Sequence, residues 1–266
     1  MILVTGGTGT LGRKVVRGLL DAGRDVRVLS RSDKAPYDGV QVMVGDLETG
    51  EGVDQAVRGV DTIVHCAGSA KGDDVKAKNL IAAAVPAGVR HVVNISVVGA
   101  NTIPVVSGLD QKMFGYFAGK RGAELIIERS GIPWTNLRAT QFHELTFTVA
   151  EQLAKLPVVP GPSGFKIQPV DAAAVAERLV ELALTEPQGQ VEDIAGPRTY
   201  TFKEMMKVYL QAVGKRRMML PMRTPGKAAA AYRAGANLSP GHGTGRTWED
   251  FVNAEVNADV NAGVKA

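Results

Sequence analysis

The first two dozen residues constrain this chain more than any others. Residues 1–23 read as a buried strand, Ile2-Leu3-Val4, a glycine-rich turn, Thr5-Gly6-Gly7-Thr8-Gly9-Thr10-Leu11-Gly12, and an amphipathic helix with Leu11, Val15, Leu19 and Leu20 on one face. Gly6, Gly9 and Gly12 stand at the G-x-x-G-x-x-G spacing. One glycine permits the tight turn, another lets backbone approach a phosphate without a Cβ, and Gly12 lets the helix pack closely on the strand. The turn ends at a helix N-terminus, whose unsatisfied N–H groups and positive dipole end suit a pyrophosphate. In a strand–helix–strand unit this motif predicts dinucleotide binding; outside one, it is a connecting loop. Gly6, Thr8, Gly9, Thr10, Leu11 and Gly12 are the expected contacts.

The following segments supply that unit. Residues 25–31 read as a second strand ending in Ser30-Arg31, about 20 residues beyond the glycines. An NAD site would present a carboxylate there to the ribose 2′-hydroxyl, whereas an arginine suits the 2′-phosphate of NADP. Arg31 can pair with that phosphate and Ser30 can add a hydrogen bond, with Arg13 or Lys34 as further charge nearby. NADP is therefore the expected cofactor and NAD the less suited one. A third strand over residues 40–44 runs into Asp46-Leu47, where Asp46 either accepts a hydrogen bond from adenine or is a turn aspartate. A fourth leads through His65 and Cys66, both read as core, to the small exit Ala67-Gly68, where backbone can approach the cofactor. A helix from residue 73 and a strand over 91–95 follow, placing Ser96 at a strand end. Strands alternating with helices predict an α/β fold, a Rossmann-type doubly wound parallel sheet, with ligands beyond the carboxyl ends of the strands.

Composition narrows the partners. With 31 Lys plus Arg against 27 Asp plus Glu, the formal charge is +4 and the basic residues are scattered, which is no nucleic-acid footprint. The one basic cluster, Lys215-Arg216-Arg217, reads as a solvated helix end. No apolar run approaches the ~20 residues that span a bilayer, so no membrane role is expected. Nor do four scattered histidines and one cysteine compose a metal site. That lone Cys66, with no room for a leader before Ile2, predicts a cytoplasmic protein.

Residues 116–120, Tyr-Phe-Ala-Gly-Lys, place Tyr116 and Lys120 four apart on one helical face, where both can address a single ligand. With them the chain resembles the short-chain dehydrogenase/reductase superfamily, and more closely its atypical NmrA-like NAD(P)-binding group, whose start matches Thr5-Gly6-Gly7-Thr8-Gly9. The resemblance extends through residues 130–135 and 137–144 to Gly245-Arg246-Thr247-Trp248-Glu249-Asp250-Phe251. It implies that Lys120 holds the nicotinamide ribose and lowers the pKa of Tyr116. Tyr116 would then protonate a carbonyl oxygen, and Ser96 would polarise it. The alternative keeps Tyr116 as an aromatic packed among Met113, Phe114 and Phe117 and leaves Lys120 solvated.

A sixth strand over residues 134–137 exits through Gln141, Phe142 and His143, the expected substrate-pocket lining, with His143 an alternative acid/base. Residues 166–170 and 191–195 read as short strands around a helix carrying Val175, Leu179 and Leu182. Thr201 to Glu204 has capping-box spacing. The expected organisation is a Rossmann core over 1–155, a small C-terminal substrate lobe over 156–252, and a small polar tail over 253–266 that frays. These readings predict an NADP-dependent oxidoreductase passing hydride to a carbonyl, quinone or conjugated small molecule. An NADP(H)-binding redox-sensing regulator with a protein partner and no turnover stays open, as does assembly into a homo-oligomer. A sugar-nucleotide epimerase is disfavoured by the small second lobe.

Overall fold

The computed structural model describes residues 1–33 and 39–263; Lys34 lies outside the described residues. Seven parallel strands form the central sheet: β1 (Ile2–Thr5), β2 (Val26–Ser30), β3 (Gln41–Val44), β4 (Thr62–His65), β5 (His91–Val97), β6 (Trp134–Ala139) and β9 (Gly189–Gln190). Their spatial order is β3-β2-β1-β4-β5-β6-β9. The order reverses between β1 and β4, and such a switch point opens a crevice at the carboxyl edge. Alternation along β1 splits the core in two. Ile2 and Val4 join a layer with α1 (Thr10–Asp21) and α6 (Ala172–Ala183), while Leu3 joins one with α2 (Val53–Val57), α3 (Asp73–Ala84) and α4 (Gly108–Glu128).

The second lobe is built from α5 (His143–Leu153), β7 (Val158–Pro162), β8 (Lys166–Ile167), β10 (Tyr200–Thr201), α7 (Phe202–Ala212), β11 (Met218–Met222), α8 (Lys227–Arg233) and α9 (Trp248–Gly263). Its core joins Val159, Tyr200, Met206 and Leu210 to Trp248, Phe251 and Val252. The Thr201 and Glu204 capping box forms as the spacing predicts, each side chain accepting from the other residue's backbone N–H.

Several elements differ from the sequence reading. The last strand of the main sheet is Gly189–Gln190, and residues 191–195 contribute only isolated bridges, Ala139↔Ile194 and Ala195↔Gly243. The strand expected over 166–170 is the two-residue β8, paired antiparallel with β10. Helix α6 packs beside α1 on the main sheet, so part of the segment assigned to the second lobe returns to the first. Helix α9 continues to Gly263, through most of the stretch read as a tail.

Candidate dinucleotide cleft and reaction site

The glycine turn closes as its residues require. Gly6 has φ 66°, in the left-handed region, and its carbonyl accepts from the Gly9 N–H at 3.0 Å. A Cβ on Gly6 would lie 2.8 Å from the Ala67 backbone, and one on Gly12 would lie 2.1 Å from the Gly6 oxygen. Turn, β4 exit and helix α1 are thus as close as backbone permits. The N-cap of α1 is Gly9, and no side chain caps the helix, so its first amides face outward for a ligand.

A cleft of about 340 Å³ lies over this turn. Gly6, Thr8, Gly9, Ser30, Arg31, Asp46, Leu47, Ala67 and Gly68 line it, all of them anticipated. Thr10, Leu11 and Gly12 sit behind, on the first turn of α1, with Leu11 and Gly12 buried. Arg31 is exposed at the cleft rim, and Ser30 Oγ accepts from the Ser32 N–H at 3.2 Å. Asp46 Oδ1 accepts from the Glu48 N–H at 2.7 Å, a local turn bond, and the residue also faces the cleft. Cys66, read as core, forms part of the cleft wall, and burial pushes its thiol up to about 12. His65 behind it is core. Its Nδ1 lies 2.7 Å from Thr5 Oγ1, and burial together with the Lys120 charge lowers its pKa to about 4.

The sequence reading missed Ser69 and Lys76 in the cleft lining. Lys76 is 8% exposed; its Nζ donates to Ser69 Oγ and lies 3.4 Å from the Glu48 carboxylate and 3.7 Å from Asp73. Also missed was Asp73, the first residue of α3. It is 2% exposed, its Oδ1 accepts from the Ser69 N–H at 2.9 Å, and its Oδ2 pairs with Lys120 Nζ at 3.1 Å. In the sequence Asp73 stands only as an acid after Gly72 at the start of a helix, and nothing local points to Lys120 as its partner.

Lys120 enters from α4, reaching the Ile95 carbonyl at 3.4 Å and standing 5.8 Å from the Tyr116 ring centroid. It is 7% exposed, so it is no solvated lysine. A Cβ on Gly68 would meet Lys120 Nζ at 3.0 Å. Glycine at that position therefore lets the lysine reach the cleft floor, and the dinucleotide cleft and the Tyr116–Lys120 face meet there. Tyr116 is 39% exposed, yet the surrounding protein raises its hydroxyl pKa; Lys120 pulls the other way and Asp73 reinforces the rise. For Lys120 itself, burial works downward, but Tyr116 and Asp73 outweigh it and keep the ammonium charged. Burial is the larger effect on the Tyr116 hydroxyl, and the Lys120 charge, which the resemblance implies lowers its pKa, acts in that direction against it. Ser96, at the end of β5, is 4% exposed with Oγ unpartnered.

Helix α4 is anchored at both ends. Ser107 and Asp110 form a capping box, and Asp110 also accepts from the Ala228 N–H at 3.2 Å. One turn beyond Lys120, the buried Glu124 takes a bidentate pair from Arg138 on β6, both bonds 2.8 Å, with Arg121 at 2.7 Å.

The expected substrate residues part company. Gln141 and Phe142 are half-buried where β6 runs into α5, and Gln141 Oε1 is buried without a partner. His143 is fully buried in the second lobe, stacked 4.9 Å from Phe251 and 5.8 Å from Trp248, with Nε2 3.0 Å from the Arg246 carbonyl. It forms no cleft wall, because α5 starts at this residue and turns it inward. Among the described residues, no group of three or more His, Cys, Asp or Glu is placed to hold a metal, and no helix is long and apolar enough to cross a membrane.

The switch-point cleft, its glycine turn and the lysine at its floor define a dinucleotide-binding protein of Rossmann type. The chain belongs to the NAD(P)H-binding family, whose model matches residues 6–186. It is 31% identical over 222 residues to the (4-alkanoyl-5-oxo-2,5-dihydrofuran-3-yl)methyl phosphate reductase of Streptomyces griseus, spanning 81% of this chain and 74% of that protein. It is 29% identical, with the same coverage, to the NAD(P)H azoreductase of Xenophilus azovorans. A crystal structure of an NADPH-dependent quinone oxidoreductase from Escherichia coli, complexed with NADPH, superposes with a TM-score of 0.79 at 20% identity, covering 96% of this chain and 99% of that one. The NmrA-like resemblance read in the sequence stands.

Proposed function

We propose that this protein is an NADP(H)-dependent oxidoreductase that reduces a carbonyl, quinone or conjugated small molecule. The observation that carries the reading is the meeting, at Gly68, of the glycine-walled cleft with Lys120 of the Tyr116 helix. Relatives whose names are reductases support the reaction class. The residues fit a dinucleotide phosphate: uncapped α1 amides for the pyrophosphate, and Arg31 with Ser30 at the rim for a 2′-phosphate. The cofactor, when bound, supplies hydride.

The chain's own residues do the rest. Lys120 holds ribose hydroxyls, and Asp73 fixes its ammonium in place. Tyr116 donates its hydroxyl proton to the substrate oxygen as that oxygen gains charge, and Ser96 Oγ is a further donor to it. Gln141 and Phe142 line the approach. The reducing cytoplasm suits a chain whose one cysteine forms no disulfide.

The test is NADPH and NADH binding by calorimetry, followed by NADPH oxidation against a panel of quinones, aldehydes and azo compounds. Turnover that is lost in Tyr116→Phe and Lys120→Ala, with NADPH binding retained in Tyr116→Phe, is expected. Arg31→Asp should weaken NADPH far more than NADH. Tight binding with no turnover across the panel would transfer the assignment to a redox sensor acting on a protein partner.

A further inference from the structure

The second lobe carries a small parallel sheet whose outward face is apolar throughout. Strands β7 and β11 pair Met218 with Val158, Leu220 with Pro160 and Met222 with Pro162. Paired residues share a face and alternate residues point oppositely. Buried Val159 and half-buried Met219 accordingly face the lobe core. The other side presents Met218 72% exposed, Leu220 54%, Met222 52% and Val158 38%. A one-sided sheet normally turns polar residues to solvent, and this one inverts the pattern.

The charges that flank β11 along the chain are basic. Lys215, Arg216 and Arg217 lead into β11 and Arg223 leaves it. Lys215, Arg216 and Arg223 are exposed and make no ion pair among the described residues. From Met205 to Trp248 the chain contains no Asp or Glu. The cluster that reads in sequence as a solvated helix end lies just past the end of α7, with Lys215 and Arg216 exposed, and it also flanks the exposed apolar strand.

We propose that this face docks on an anionic lipid surface, with Met218, Leu220 and Met222 entering the interfacial layer and Arg216 and Arg223 reaching the headgroup phosphates. Apolar side chains rimmed by basic ones are the composition that anionic bilayers bind. A second copy fits less well: two β11 strands paired antiparallel about a twofold axis at Leu220 would set Arg217 against the other copy's Arg223, like charges directly opposite. The contact is peripheral and needs no spanning helix.

The test is flotation of the full chain with vesicles of phosphatidylcholine alone or mixed about equally with phosphatidylglycerol. Binding to the anionic vesicles only, falling as salt rises to about 0.5 M, is expected. Arg216→Ala with Arg223→Ala should weaken it roughly 30-fold. Met218→Ser, Leu220→Ser and Met222→Ser together should also abolish flotation. NADPH affinity should be unchanged in both sets, since none of these residues lines the dinucleotide cleft. Failure to float with anionic vesicles, or equal flotation of parent and variants, overturns the proposal. A dimer in sedimentation equilibrium that Leu220→Ser dissociates also overturns it and assigns the face to a second copy.

Discussion

Replacing Gly12 with alanine tests the geometry of the turn directly. The new Cβ would sit 2.1 Å from the Gly6 carbonyl oxygen, 2.7 Å from the Gly6 carbonyl carbon and 2.8 Å from the Gly7 Cα, all backbone atoms with no rotamer to yield. Reaching even 3.0 Å requires helix α1 and the turn to separate by about 1 Å. Overpacking of this kind typically costs 1–3 kcal/mol, which for a chain of this size lowers Tm by about 2–10 °C. The same displacement moves the α1 amides away from the pyrophosphate position. Losing one charge-assisted hydrogen bond weakens binding by about 1.5–3 kcal/mol, so NADPH affinity should fall roughly 10- to 100-fold. Calorimetry gives the affinity and thermal unfolding the stability. Gly108→Ala, at the open start of α4 where a Cβ meets nothing within 4 Å, is the control; it should leave NADPH affinity unchanged and stability unchanged or raised by up to about 1 kcal/mol. A Gly12→Ala protein that binds NADPH within about twofold of the parent would refute the close-packing argument.

Other substitutions probe the supports of the site. Glu124→Gln leaves the half-buried Arg138 guanidinium with half its bidentate partner gone, and should cost about 1.5–3 kcal/mol in denaturant unfolding. Burial pushes the Glu124 carboxyl up, but hydrogen bonds from Arg138 and Arg121 outweigh it and hold the group low. Its contribution is therefore present at neutral pH and lost as pH falls through the folded-state pKa, and the variant should be flatter in acid. His65, neutral in the fold with a pKa of about 4, is protonated more readily when unfolded. Stability should be full above pH ~6.5 and decline towards pH 4 by up to about 1.4 kcal/mol per unit, a slope that His65→Gln removes. If that variant keeps the slope, His65 is not its source. Cys66, with its thiol pushed up to about 12, should react with iodoacetamide far more slowly at pH 8 than free cysteine, and more slowly still with NADPH present. Labelling at the free-thiol rate would contradict the burial.

Some of this protein could be read from the chain alone, wherever the physics is local. The β1–turn–α1 unit follows from three glycines and an apolar face of period 3.6. The capping box at Thr201 and Glu204 and the Tyr116–Lys120 face are likewise matters of neighbours within one or two turns. Alternation of strands and helices then leaves few topologies, and the crevice beside β1 follows from strand order. What lay beyond reach was partner choice across the fold. Lys120 and Lys76 look like surface lysines until α3 brings Asp73 against one and Ser69 and Glu48 beside the other. His143 looks like a pocket residue until α9 lays Trp248 and Phe251 over it. Residues 218–222 become the strand β11 only through their pairing with β7, which also settles which side faces out. A polar group's burial depends on who satisfies it, and an apolar strand's exposure depends on what covers it. Both are decided by segments distant in sequence, so only the tertiary structure decides them.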